Sequence, residues 1–232
     1  MYIQQYQHLF FDLDHTLWDF NTNEKHTLSE LFMRYNLDKH FDSFDIFFNT
    51  YEPINADLWL KYRHGEIRKP EVAIGRFHNT FLTSGLDDFE MARKFSFDFV
   101  AENSKKTALI PGAIELLEYL HPKYNLHIIT NGFIEAQHVK MEKSGLKPFF
   151  QKIFISEEIG APKPKQEFFE HAIRSCNAKK KESLVIGDSL ETDIAGAKNF
   201  GLDHVYFNPA GTPHNEVVFM EIRSLRELLD CL

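Results

Sequence analysis

One interruption constrains the fold of this chain more than any other feature. The run His8-Leu9-Phe10-Phe11-Asp12-Leu13 reads as a buried strand, because it is apolar without the alternation of a strand that has one wet face. Comparable runs return only at Leu126-His127-Ile128-Ile129-Thr130, Ile153-Phe154-Ile155-Ser156, Leu184-Val185-Ile186-Gly187-Asp188 and His204-Val205-Tyr206-Phe207. The stretch between has no convincing strand. Ten of the chain's 23 phenylalanines lie in it between Phe41 and Phe99.

That stretch reads as a block of helices. Asn21 and Glu24 stand at capping-box spacing, and Leu28, Leu31, Phe32 and Tyr35 follow on one helical face. Phe44, Phe47, Phe48 and Tyr51 repeat the spacing. Pro53 is expected to kink or divide this second helix, after which Leu58, Trp59 and Tyr62 resume a face that Gly65 ends. Two further helices are expected over residues 70–83 and 87–103. From Leu109 the pattern becomes strand and helix in alternation, with Pro111 opening the first helix and others over 134–144, 166–175 and 225–232. The expected fold is therefore an α/β, Rossmann-like doubly wound parallel sheet. Its core would comprise residues 1–17 and 108–232, and residues 18–107 would form an inserted all-helical domain.

Composition narrows the function. The 232 residues are 43% hydrophobic and 26% charged, an ordinary globular balance. Basic residues number 26 against 34 acidic, a net charge of −8. This opposes binding to a nucleic-acid polymer or an anionic membrane, which need concentrated Lys and Arg. A small phosphorylated ligand remains open, since one Lys and a metal can hold it. Cys176 and Cys231 are too few for a disulfide framework. No secretory n-region or membrane-length apolar run is present, so the expectation is a cytoplasmic protein.

In doubly wound sheets ligands bind at the carboxyl ends of the strands. The first strand ends in Asp12-Leu13-Asp14-His15-Thr16, two carboxylates whose burial is costly without a cation or donors. The second ends in Thr130-Asn131-Gly132, which supplies a hydroxyl, an amide and a residue that lets backbone approach a ligand. The third is followed by Lys163 between two prolines, with Lys165 as a competing cation. The fourth ends in Gly187-Asp188, and Asp193 stands one helical turn further on. Taken singly, each has a bland reading: an Asx turn, a helix cap, a solvated lysine, acids at a helix N-terminus. Four successive strand ends converging on one crevice do not share those readings.

This set resembles the haloacid dehalogenase (HAD) superfamily of phosphotransferases, over the whole chain and in the family's motif order. Leu58-Trp59-x-x-Tyr62-x-x-Gly65-Glu66-Ile67, Ile129-Thr130-Asn131-Gly132-Phe133 and Ile155-Ser156-Glu157-Glu158-Ile159-Gly160 are similar to the YjjG-type pyrimidine 5′-nucleotidase branch. The resemblance implies Asp12 as nucleophile, forming an aspartyl-phosphate, and Asp14 as general acid and then base. It implies Mg²⁺ held by Asp12, the backbone carbonyl of Asp14, and Asp188, with Asp193 orienting waters or Lys163 from behind. Thr130 and the Asn131 amide would hold phosphoryl oxygens, and Lys163 would offset their charge. The insertion would be the helical cap that selects the substrate. Phe20, Trp59 and Tyr62 are candidates to stack on a base or sugar, although aromatics at helical spacing are more often core.

The implied activity is a Mg²⁺-dependent phosphomonoesterase, a nucleoside 5′-monophosphatase preferring pyrimidines, in a monomer or small homo-oligomer. The alternatives are a phosphatase of sugar phosphates or another small phosphometabolite, a phosphomutase, a haloacid dehalogenase and a non-catalytic binding module. A dehalogenase typically lacks the second aspartate of the first motif, and Asp14 is present. A retired fold would have lost a chemical residue, and none is missing.

Overall fold

The computed structural model describes residues 6–232. In chain order the strands are β1 (His8–Phe11), β2 (Asn125–Thr130), β3 (Lys152–Ile155), β4 (Ser183–Gly187), β5 (Asp203–Phe207) and β6 (Met220–Ile222). The helices are α1 (Phe20–Arg34), α2 (Phe44–Arg63), α3 (Lys69–Thr83), α4 (Phe89–Asn103), α5 (Ala113–Leu120), α6 (Ile134–Lys143), α7 (Ser156–Ile159), α8 (Gln166–Ser175) and α9 (Ala195–Phe200). All six strands join one parallel sheet in the order β3-β2-β1-β4-β5-β6.

The two-residue period of each strand sorts its side chains to opposite faces. Leu9 and Phe11, Leu126 and Ile128, Leu184 and Ile186, and Val205 and Phe207 point to one side, where they pack with Leu116, Leu117 and Leu120 of α5 and Met141 of α6. Phe10, Ile129 and Val185 point to the other, against Phe168 and Phe169 of α8 and Ala197 of α9. The chain builds outward from β1 through β2 to β3, then returns to lay β4 on the free side of β1. The carboxyl ends of β1 and β4 therefore flank the point where strand order reverses, the usual place for a ligand in such sheets.

The chain divides into two compact units. One comprises the residues up to Phe20 together with Thr107–Leu232, and the other comprises Asn21–Lys106. The second is all helical. Its interior is largely aromatic, with Phe47, Tyr51, Phe77, Phe81, Phe95 and Phe99 buried among Leu28, Leu31 and Phe32. The Phe77 and Phe95 centroids lie 4.9 Å apart in a tilted arrangement favoured by ring quadrupoles. Buried Arg76 stacks 4.8 Å from the Phe77 and Phe99 centroids, while Tyr51 donates to Glu24 at 2.7 Å. Among the described residues no helix is long and apolar enough to cross a membrane.

Several local expectations are corrected. Pro53 neither divides nor ends α2, which runs unbroken from Phe44 to Arg63. The bond lost at Pro53 is offset by anchoring on both sides, through buried Phe47, Phe48 and Tyr51 before it and Leu58 after it. Asn21 is not a cap, because α1 begins at Phe20, whose ring meets fully buried Trp18 edge-on at 5.9 Å. Pro111 does not open α5. Gly112 follows it with φ +86°, outside the right-handed region, and the helix starts at Ala113. The closing helix is a 3₁₀ segment, Leu225–Asp230, and β6 was missed because three residues at a sheet edge carry no periodicity.

Candidate active site

The β1 tip turns sharply after Leu13. Leu17 and Trp18 donate to the Leu13 carbonyl at 3.0 and 2.9 Å, and His15 donates to Trp18 O at 2.9 Å. The turn places His15 at φ 68°, a left-handed conformation that costs a non-glycine residue roughly 1–2 kcal/mol. It also sends the two carboxylates of the motif to different partners.

Asp12 extends the β1–β4 ladder by donating its N–H to Ile186 O at 2.8 Å. Its buried carboxylate accepts from Lys163 Nζ at 2.6 Å through Oδ1 and from Thr16 Oγ1 at 3.1 Å through Oδ2. Thr16 Oγ1 also lies 3.2 Å from Asp188 Oδ1, so one hydroxyl proton serves two carboxylates from adjacent strands in turn. Lys163 is 1% exposed and spends its three ammonium donors on Asp12 Oδ1 (2.6 Å), Asp193 Oδ1 (2.6 Å) and Ile129 O (3.0 Å). Lys165, the competing cation, is exposed.

Asp193 sits in a π-helical turn, Leu190–Ile194, and its second oxygen accepts from Ser189 N–H at 3.1 Å. Gly187 makes room for it: a Cβ there would lie 2.5 Å from Asp193 Cγ and Oδ2. Asn131 does not aim its side-chain amide at open space. Nδ2 donates to Lys163 O and Oδ1 accepts from Lys163 N, both at 2.9 Å, so the side chain clamps the lysine's backbone. Thr130 is buried, and its hydroxyl oxygen accepts from Gly132 N–H at 3.0 Å, leaving its proton to donate elsewhere.

Electrostatics follow from this geometry. Burial, with Asp193 beside it, pushes Asp188 up to about 7, against the pull of Lys163. Burial likewise lifts Asp12 well above the carboxylate range; Lys163 opposes this, and Asp193 and Asp188 add to it. Burial disfavours the charge on Lys163, but Asp12 and Asp193 outweigh it and raise the ammonium above the ordinary lysine range. Two buried carboxylates and half-buried Asp188 thus share one ammonium. Oxygens of Asp12, Asp188 and Asp193 all lie within 4.8 Å of one another, a donor set suited to a hard divalent cation. Asp193 is 1% exposed and holds Lys163 and the Ser189 N–H, whereas Asp12 and half-buried Asp188 are the more accessible carboxylates and the better-placed ligands.

Asp14 turns to α6 instead. It accepts from Lys140 Nζ at 2.6 Å and from Gln137 Nε2 at 3.3 Å. Neither partner was anticipated. The signal was present in α6, where Gln137 and Lys140 share the buried stripe with Ala136 and Met141, positions that helical periodicity reserves for apolar residues. Of the aromatic candidates, Phe20 belongs to the α/β unit, with Lys140 Nζ 5.2 Å from its ring centroid and the His15 ring tilted against it at 4.9 Å. Trp59 and Tyr62 belong to α2 of the helical unit, are half-buried, and meet edge to face at 5.7 Å.

A second group of potential metal ligands joins His8 at the start of β1, His127 within β2 and Cys176 just past α8. His8 Nδ1 lies 3.1 Å from His127 Nε2, and Cys176 Sγ lies 3.6 Å from His127 Nδ1. The two neighbours use opposite nitrogens of one ring, so a single ion cannot replace both contacts. The group reads as a hydrogen-bonded chain.

A family model described as haloacid dehalogenase-like hydrolase matches residues 6–201. Pyrimidine 5′-nucleotidase PynA of Streptococcus pneumoniae (strain ATCC BAA-255 / R6) is 33% identical over 233 residues, covering 98% of this chain and 95% of its own length. Pyrimidine 5′-nucleotidase YjjG of Escherichia coli (strain K12) is 31% identical over 201 residues, covering 86% and 85%. The crystal structure of the HAD-hydrolase YfnB from Bacillus subtilis, bound to magnesium and described as revealing interdomain movement, is 31% identical. It matches with a TM-score of 0.88 over 98% of each chain.

Proposed function

This chain belongs to the haloacid dehalogenase-like hydrolases, and from that membership we propose that it is a divalent-metal-dependent phosphomonoesterase acting through Asp12 on nucleoside 5′-monophosphates, with a preference for pyrimidines. The observation that carries the proposal is the setting of Asp12. It is a buried carboxylate at a strand tip, paired with a fully buried lysine and facing a second carboxylate from the neighbouring strand. The pyrimidine preference rests on the two nucleotidase relatives, which align over most of the chain.

In this reading an Asp12 oxygen attacks phosphorus and the ester P–O bond breaks. The leaving oxygen takes a proton from Asp14. Water then attacks the phosphorus of the aspartyl-phosphate, Asp14 takes a proton from it, and the Asp12–phosphorus bond breaks to release phosphate. Lys163 offsets the negative charge gathered on Asp12 and the phosphoryl oxygens. Thr130 Oγ and the Asn131 backbone N–H hold non-reacting oxygens, since the Asn131 side chain is already committed to Lys163. Mg²⁺, held by Asp12, Asp188 and the Asp14 carbonyl, would supply charge neutralisation at the phosphoryl group. Asp193 fixes Lys163 and stays outside the ligand set. The helical unit would act as the cap that discriminates leaving groups, with Phe20, Trp59 and Tyr62 as candidate substrate contacts.

The test is phosphate release from pyrimidine and purine 5′-monophosphates and from sugar phosphates, with Mg²⁺ and with EDTA. The expected result is metal-dependent release that is fastest from pyrimidine 5′-monophosphates and abolished in Asp12→Asn. Faster release from sugar phosphates would overturn the substrate class while keeping the chemistry. An unchanged rate in Asp12→Asn would refute the mechanism.

A further inference from the structure

We infer that Lys140 and Gln137 are positioning residues that hold the Asp14 carboxyl group in register, so that the proton it carries passes to the leaving oxygen. This rests on the reading of Asp14 as the acid–base group given above. The starting point is an anomaly of burial. A lysine on a short helix is ordinarily solvated, yet the Lys140 side chain is 4% exposed. Burying an ammonium is costly unless its surroundings compensate.

Here they compensate in a particular way. Nζ lies 2.6 Å from Asp14 Oδ1, 4.2 Å from the Trp18 ring centroid and 5.2 Å from the Phe20 centroid. The ring faces attract the cation without offering an oxygen that would compete for its protons. The ammonium is thus supported from the sides while its hydrogen bond goes to Asp14.

Gln137, one helical turn earlier, completes the clamp. It is 1% exposed and donates to Asp14 Oδ2 at 3.3 Å, so each oxygen of the carboxylate has its own donor from one face of α6. Two donors at fixed separation set the plane of the carboxylate as well as its place. The arrangement carries a cost: Gln137 Oε1 is buried with no hydrogen-bond partner. It also constrains the phosphate-side turn, because a Cβ on Gly132 would lie 1.8 Å from Gln137 Nε2 and 3.3 Å from Asp14 Oδ2. A purely structural site would be simpler with an apolar side chain at 137. The polar set is explained by what it touches, and both residues touch Asp14.

The consequence is a dependence on the leaving group. Proton donation matters for an alkoxide leaving group and little for p-nitrophenolate, which departs without a proton. The experiment measures kcat/KM, which covers the steps through phosphoryl transfer to Asp12, for a nucleoside 5′-monophosphate and for p-nitrophenyl phosphate. The variants are Lys140→Met, Gln137→Met and Lys140→Arg, each in the wild-type and the Asp14→Asn backgrounds. Lys140→Met is expected to lose about 10- to 100-fold on the nucleotide, by analogy with misplacement of a reacting group, and less than about threefold on p-nitrophenyl phosphate. Gln137→Met should show the same selectivity with a smaller loss, and Lys140→Arg should recover most of the nucleotide rate. Neither Met variant should lower the rate further once Asp14 is Asn.

Equal losses on the two esters, or losses that persist undiminished in Asp14→Asn, would overturn the inference. If Lys140→Met does not fold, Gln137→Met and Lys140→Arg carry the same comparison. Failure of the wild-type protein to hydrolyse either ester would instead refute the proposed function.

Discussion

Asp188→Asn is expected to stabilise the metal-free protein at neutral and higher pH, although it removes a proposed metal ligand. The native environment moves this carboxyl from its ordinary 3.8 to about 7, chiefly by burial and by the proximity of Asp193. Between those two values the native state holds a proton that the unfolded chain has released, so stability declines as pH rises through that window. At about 1.4 kcal/mol for each tenfold change in proton affinity, the full penalty above pH 7 is about 4 kcal/mol. Asparagine keeps the shape and still accepts from Thr16, but it carries no charge. Because Lys163 and Asp12 adjust to the loss, the measured gain is expected to be about 2–4 kcal/mol at pH 8.

The assay is urea unfolding in EDTA between pH 5 and pH 8, followed by the same series with saturating Mg²⁺. The two proteins should converge as pH falls toward 5. Mg²⁺ at a hundredfold excess over its Kd should add about 2.7 kcal/mol to the wild type and far less to Asp188→Asn, closing most of the gap between them. A variant that is no more stable than wild type at pH 8 in EDTA, or a difference that does not move with pH, would refute the electrostatic account of the site.

Two further expectations follow from single contacts. Gly187→Ala would force a Cβ to within 2.5 Å of the Asp193 carboxyl, and it should destabilise by about 1–3 kcal/mol through overpacking. A loss under about 0.5 kcal/mol in urea unfolding would mean that the β4 tip has slack the structure does not display. His127 is pushed down to about 4 by burial and by neighbouring His8, so its contribution is full above its ordinary 6.5 and is lost as pH falls toward 4. Going from pH 8 to pH 5 should therefore destabilise the wild type by about 1–2 kcal/mol more than His127→Gln, measured by urea unfolding at both values. Equal losses in the two proteins would contradict it.

Much of the fold was legible because its signals are local. Unbroken apolar runs at residues 8–13, 126–130, 153–156 and 184–188 mark strands covered on both faces, and helical spacing with caps marks most of the helices. Where local signals conflicted with packing, packing won. Pro53 stayed inside α2 because buried side chains anchor the helix on both sides of it, and Asn21 lost the cap because α1 starts two residues earlier than a cap there would set, at Phe20 against Trp18. The edge strand β6 was invisible because it is paired on one side only and is three residues long.

By itself the sequence determined that carboxylates, a hydroxyl and a lysine would stand at the ends of parallel strands. The end of an unbroken apolar run marks where a buried strand stops, and the polar residue just past it is carried to the sheet's carboxyl end. Partner choice belonged to the tertiary structure alone. Asp12 and Asp14 are two residues apart in one motif, yet the turn at His15 sends one to Lys163, 151 positions away, and the other to Lys140, 126 positions away. Asn131 read as a ligand-facing amide, and the structure spends its side chain on the Lys163 backbone. These pairings depend on distances across the sheet and on which helix face turns inward. Those quantities arise only when the chain has closed on itself and burial has made an unpaired charge too costly to leave.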